Sequence, residues 1–206
     1  MSERADPEDP SFRGEWRLRW RRKFIPWLTY SPNPYRRAVV WRYNWVSEHS
    51  RGKSVVDVPC GMGWGTSLIK GAKKLVGIDI SEEAIKKAQD KYPEHAEFMV
   101  GSMTKLPFKD DSIDLVACLE GIEHVPEDVG SEFIEEAKRV LKPGGELMLS
   151  SPYTEDGEHS GNPYHIKEYQ PQEIEAKLGK HFLIKDVAKR KVGNMVVNYY
   201  HCEVKQ

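Results

Sequence analysis

The sequence predicts an α/β protein built on a doubly wound, mostly parallel sheet with helices on both faces. Three observations carry this. From residue 54 onward, short apolar runs alternate with stretches of helical period, the pattern of successive strand–helix units. The first run enters three glycines at alternate positions, "SVVDVPCGMGWGT", a turn that lets the backbone bend sharply and approach a ligand. The next run, "VGIDIS", ends in an acid, Asp79, at the same edge of the sheet.

Each element has its own signal. After the turn residues "SPNP", Val39, Val40, Tyr43, Trp45 and Val46 recur near helical spacing, so a helix is expected over 34–48. The β-branched Val55, Val56 and Val58 predict a buried strand over 54–58. Further strands are expected over 74–79, 96–100, 113–119 and 146–151, and helices over 64–71, 82–91 and 129–141. The last of these closes on "RVLKPGGE", basic residues followed by proline and two glycines. Beyond the loop "TEDGEHSGNPYH", a helix over 171–178 and strands over 182–188 and 194–204 complete the chain.

A length of 206 residues suits one domain with an appendage. The opening "MSERADPEDP" is polar and proline-rich, the composition of a disordered tail. Residues 1–37 hold nine Arg or Lys against five Asp or Glu, a charge of +4, so the remainder carries −5 of the net −1. Within that basic end, Trp16, Trp20, Phe24 and Trp27 fall on one helical face among arginines. Residues 1–32 are therefore read as a basic aromatic segment, a lid or partner-binding element, and 33–206 as a single domain. The three cysteines show no paired spacing, and no secretory signal precedes them, which points to a reducing cytoplasm. No apolar run approaches the ~20 residues of a membrane span.

The glycine turn lies at the carboxyl edge of the sheet, where open α/β sheets bind ligands. A carboxylate at Asp79 is placed to accept both hydroxyls of a ribose. The pattern D-x-x-C-G-x-G-x-G is not that of a dinucleotide site, and Asp57 would repel a phosphate while suiting an ammonium or sulfonium charge.

In "VVDVPCGMGWG", "VGIDIS", "GSMTKLPFKDDSIDLVACLE" and "RVLKPGGELMLSSP", taken in that order over about half the chain, the sequence resembles the class I S-adenosylmethionine-dependent methyltransferases. The resemblance implies a Rossmann-like, seven-stranded sheet with the last strand antiparallel. It also implies S-adenosylmethionine as cofactor, with Asp57, Gly61 and Gly63 near its methionine part, Asp79 on the ribose, Ile80 against adenine, and Cys60 among the binding residues. Ser102, Met103 and Leu119 complete that expected site. The family often has an acid where Ser102 stands, so a hydroxyl must here accept from the adenine amine.

After the fourth strand, "LEGIEHV" places Glu120, Glu123 and His124 at i, i+3 and i+4, which share one helical face. Its simplest alternative is a helix start that favours acids through its dipole. The E-x-x-E-H pattern resembles ubiquinone-pathway O-methyltransferases and small-RNA 3′-terminal 2′-O-methyltransferases, in which this cluster binds a divalent metal near the acceptor hydroxyl. "NPYHIKEY" adds His165, making Glu120, Glu123, His124 and His165 both the expected catalytic set and the expected metal ligands. Two imidazoles and two carboxylates suit manganese, iron, cobalt or zinc better than magnesium; without a metal, His124 or His165 would serve as general base. "NPYHIKEY" is also similar to a segment of bacterial methyltransferases associated with glycan modification. The expected function is O-methylation of a small molecule or glycan. The alternatives are an RNA methyltransferase using the basic aromatic end and a non-catalytic S-adenosylmethionine-binding partner.

Overall fold

The structure is a computed structural model that describes residues 34–193 and 195–205. The expected basic aromatic segment, with Trp16, Trp20, Phe24 and Trp27, lies outside them. Seven strands form one sheet: β1 Ser54–Asp57, β2 Lys74–Asp79, β3 Glu97–Val100, β4 Ile113–Cys118, β5 Leu141–Thr154, β6 Phe182–Val192 and β7 Met195–Val204. Their order is β3-β2-β1-β4-β5-β7-β6. The pairs β1–β2, β1–β4, β2–β3 and β4–β5 are parallel, and β7 runs antiparallel to both β5 and β6, as the resemblance implied. The helices are α1 Pro34–Ser50, α2 Glu82–Lys91, α3 Glu127–Val140 and α4 Pro171–Leu178. No helix among the described residues is long and apolar enough to cross a membrane.

Successive side chains of a strand point to opposite faces, and the core divides accordingly. Val56, Val116, Leu147, Leu149 and Tyr200 meet Phe133, Ile134 and Ala137 of α3 and Ile174 and Leu178 of α4. Their neighbours Val55, Leu115, Met148 and Tyr199 belong to the other layer, under Val39, Tyr43, Trp45 and Val46 of α1. Trp41 and Trp45 both meet the Tyr199 ring edge-on, at 4.9 and 5.9 Å.

Two expectations are corrected. In place of a helix over 64–71 there is a single 3₁₀ turn, Thr66–Leu68. Gly71 turns the backbone at φ +80°, and β2 starts at Lys74 before a second turn can form. The apolar Trp64 and Ile69 of this segment pack beneath α1. There the Ser47 hydroxyl donates to the Leu68 carbonyl at 3.2 Å and accepts from the Lys70 amide at 3.0 Å. A side chain at Gly65 would overlap the Tyr43 ring, its Cβ falling 2.1 Å from ring carbons. The second correction is β5, which is longer than expected: Leu141 already pairs with Ile113, and 142–145 bulge out before Glu146 pairs with Leu115.

Candidate active site

A cavity of about 570 Å³ opens where β1, β2 and β4 end, large enough for a nucleoside cofactor together with part of an acceptor. Its first half is built on the glycine turn. Gly61 lines it with φ +54°, and a Cβ there would meet no atom within 4 Å, so its missing side chain leaves ligand space. Asp79, 5 % exposed, lines it too. Its Oδ2 accepts from the Gly61 amide and its Oδ1 from the Ser81 amide, both at 2.9 Å, which ties the turn to the start of α2. A carboxylate oxygen accepts more than one hydrogen bond, so holding the turn is compatible with accepting from a ligand. Ile80 stands on the rim and is 75 % exposed, a large apolar surface that a flat ring would cover. Cys60, Ser102, Met103 and Leu119 complete this half. The Ser102 hydroxyl is 2.9 Å from that of Thr104.

Two of the residues expected here lie elsewhere. Gly63 does not face the cavity: a Cβ on it would come 2.8 Å from both Ala88 and Phe98, so its glycine serves the packing of α2 and β3. Asp57 is fully buried beneath the turn, where its Oδ2 accepts from the Thr66 hydroxyl at 2.6 Å. Burial pushes the Asp57 carboxyl up to about 7, against the opposing pull of Thr66, Tyr43 and the Arg42 guanidinium.

The second half of the cavity is bounded by α1, by the segment after β4 and by 162–166. Glu120 sits at φ +52°, an uncommon backbone angle for a side-chain-bearing residue. Its Oε1 accepts from the Ser150 hydroxyl at 3.0 Å, and Arg42 Nη1 lies 3.4 Å from its Oε2. The turn Ile122–His124 follows, with Glu123 fully buried and outside the cavity lining. Glu123, His124 and His165 each bring a ligand atom within 4.8 Å of the others, and Glu120 is not among them. The expected four-residue convergence is thus three residues. Glu120 precedes the turn, and its backbone aims the carboxylate at Ser150 and Arg42.

The histidines are held through one ring nitrogen each. His124 Nδ1 donates to the Tyr164 carbonyl at 2.9 Å, and His165 Nδ1 to Glu168 Oε1 at 2.5 Å. That assignment leaves Nε2 of each ring with its lone pair, and the rings stand nearly perpendicular with centroids 5.2 Å apart. Glu168 is the organiser of this loop. It also accepts from the Ser160 amide at 2.9 Å and from the Ser160 hydroxyl. Burial opposes its charge, but the bonds from Ser160 and His165 prevail and hold its pKa below the usual carboxylate value. The Ile166 and Lys167 amides donate to the Glu123 carbonyl, at 2.7 and 3.2 Å, fastening the loop to the turn. Tyr169 is buried under α3 while Tyr164 stays exposed at the cavity.

Residues 56–149, which contain the glycine turn, Asp79 and the segment through His124, match the family model for a methyltransferase domain. The chain carries a class I S-adenosylmethionine-dependent methyltransferase domain. Among curated relatives, the Probable S-adenosylmethionine-dependent methyltransferase of Mycolicibacterium smegmatis is 30 % identical over 137 residues, 64 % of this chain and 52 % of that one. The chain thus spans about half the length of that relative. Two solved structures share the fold. Magnesium protoporphyrin IX methyltransferase from Synechocystis, with bound SAH, has a TM-score of 0.66 at 21 % identity, covering 83 % of this chain and 84 % of that one. The [4+2]-cyclase SpnF has a TM-score of 0.72 at 17 % identity, covering 86 % of each chain. A cyclase on the same fold shows why chemistry must be argued from the site. In this methyltransferase domain the matched region ends at Leu149, so Arg42, Tyr43, His165 and Glu168 all lie outside it. Of these, His165 is expected from "NPYHIKEY", whereas Arg42, Tyr43 and Glu168 are not singled out by any motif. Glu168, three positions after His165 in that same segment, carries a local hint of its role.

Proposed function

We propose that the chain transfers a methyl group from S-adenosylmethionine to a hydroxyl of a small molecule or glycan, at the cavity half that holds His124 and His165. The observation that carries this reading is the paired imidazoles, each fixed through Nδ1 and presenting Nε2 beside the buried Glu123. When bound, S-adenosylmethionine supplies an electrophilic methyl on a sulfonium. A hydroxyl that takes this methyl forms its new C–O bond as the C–S bond breaks, and must give up a proton. Nε2 of His124 or His165 is the site where that proton is received. Gly61 leaves room for the cofactor's backbone-hugging part, Asp79 offers acceptors for ribose hydroxyls, and Ile80 offers an apolar face to a base.

The same donor set fits a divalent cation. Glu123, His124 and His165 would hold it, with Glu168 and the Tyr164 carbonyl as supporting partners on the far ring nitrogens. A cation there would supply a lowered pKa for a coordinated hydroxyl.

The test is transfer of labelled methyl to hydroxylated small molecules, oligosaccharides and RNA, with and without chelator. A labelled methyl ether on a small acceptor or glycan, lost in His165→Ala, is the expected result. Chelator sensitivity restored by manganese or cobalt would assign the cation, and full chelator-resistant activity would leave a histidine as base. Label appearing on RNA alone, or wild-type turnover in both His124→Ala and His165→Ala, would overturn the reading.

A further inference from the structure

A second group of metal-ligating side chains lies away from the cavity, near the amino end of the parallel strands. His49 stands near the C-terminal end of α1, Glu146 in β5 just after its bulge, and His201 in β7. In the β5–β7 ladder His201 is paired with Met148, so Glu146, two residues before Met148, shares its face of the sheet. That face is the one α1 covers. None of the three lines the cavity.

We propose that His49, Glu146 and His201 bind one divalent transition-metal ion of the zinc or cobalt class, which clips the end of α1 to the sheet. One ligand atom from each lies within 4.8 Å of the others. A tetrahedral ion with ~2.1 Å bonds holds its ligand atoms about 3.4 Å apart, so closure asks for shifts on the order of an ångström. The imidazole rings are 4.2 Å apart between centroids. His201 Nε2 is sealed from solvent and makes no well-directed hydrogen bond, with Glu146 Oε1 lying 3.5 Å away. Two imidazoles and one carboxylate are a zinc-type donor set with a fourth position left for water. The ligands come from three separate elements, so an unfolded chain does not hold them together. One group competes. Lys53 Nζ lies 2.5 Å from Glu146 Oε2, and an ion would have to share that carboxylate with it.

The test uses cobalt and zinc on the full chain, in a His124→Ala/His165→Ala background so that the cavity cluster contributes nothing. One Co²⁺ per chain with the visible absorption of a low-symmetry site, and a melting temperature raised by Zn²⁺, are expected. His49→Asn and His201→Gln should each weaken that binding at least about tenfold and abolish the Zn²⁺ shift, with their metal-free melting temperatures as the folding control. Lys53→Met should tighten binding several-fold, because it removes the competing cation. No ion in this background, or unchanged affinity in both His49→Asn and His201→Gln, would overturn the proposal. So would an unchanged or weakened affinity in Lys53→Met, since the ion would then not share Glu146.

Discussion

Gly61 and Gly63 are two positions apart, yet their absent side chains leave room for different things. At Gly61 the space is cavity, so Gly61→Val should weaken binding of S-adenosylhomocysteine while costing stability only the ~1–2 kcal/mol of a left-handed backbone. At Gly63 the space is filled by Ala88 and Phe98, so Gly63→Ala should lower the melting temperature before it touches affinity. Calorimetric titration beside a thermal melt separates the two, and equal loss of affinity at equal stability would remove the distinction. Asp79→Ala should do both: it removes acceptors from the cavity and strands the Gly61 and Ser81 amides, each unmet bond costing about 1–3 kcal/mol. The sequence could identify these residues as a set, because glycine spacing and a strand-end acid are local signals. It could not say which glycine faces ligand, since that depends on Phe98, which reaches the turn only when β3 joins the sheet. Asp57 carries its own prediction. A carboxyl whose folded pKa is about 7, above its ordinary 3.8, favours the protonated fold, so its contribution is complete below about pH 4 and is lost as pH rises toward 7. Asp57→Asn should flatten the stability profile across that window, read as melting temperature against pH.

Among the elements, α1 is the one that sequence placed but did not dock. Its period was readable from Val39 to Val46, whereas the partner that makes room for it, Gly65, gave no sign of being a packing residue. Gly65→Ala would press a methyl into the Tyr43 ring and should destabilise the protein by about 1–3 kcal/mol, measured by denaturant unfolding. The missing helix after β1 has the same origin: the apolar Trp64 and Ile69 pack against a helix instead of forming one. The loop 160–169 is a different case, ordered by one carboxylate. Glu168→Gln should lower turnover by releasing His165 while leaving S-adenosylhomocysteine affinity unchanged, because Glu168 touches neither Gly61 nor Asp79. Parallel loss of affinity would show that the loop also shapes the cofactor half. Composition pointed to this loop only through its asparagine, proline and histidine; its anchoring on the Glu123 carbonyl is a tertiary fact.

At the scale of the whole molecule, alternating strand and helix periods sufficed for the sheet, since each buried strand is a short apolar run and each covering helix an amphipathic one. The partition of the core was also implicit in the pairs Val55/Val56, Leu115/Val116 and Tyr199/Tyr200, whose members serve opposite faces. What the periods could not express is which helix covers which face, because that is decided by connections across the whole chain. The layer over β1 and β4 is supplied by α1, and α1 rests on Tyr199 of β7 through Trp41 and Trp45. This has a consequence for the order of assembly. During synthesis α1 emerges before the seven strands of the sheet, and its aromatic seat on β7 is made last, so its packing is completed only when β5 and β7 have paired. Contacts so distant in the chain form late and slowly. In refolding followed by pulsed hydrogen exchange, the amides of β1, β4 and α3 should gain protection before those of α1. The wall of the cavity that carries Arg42 and Tyr43 would then close only when the final strand is in place, so no partly made chain presents a finished site.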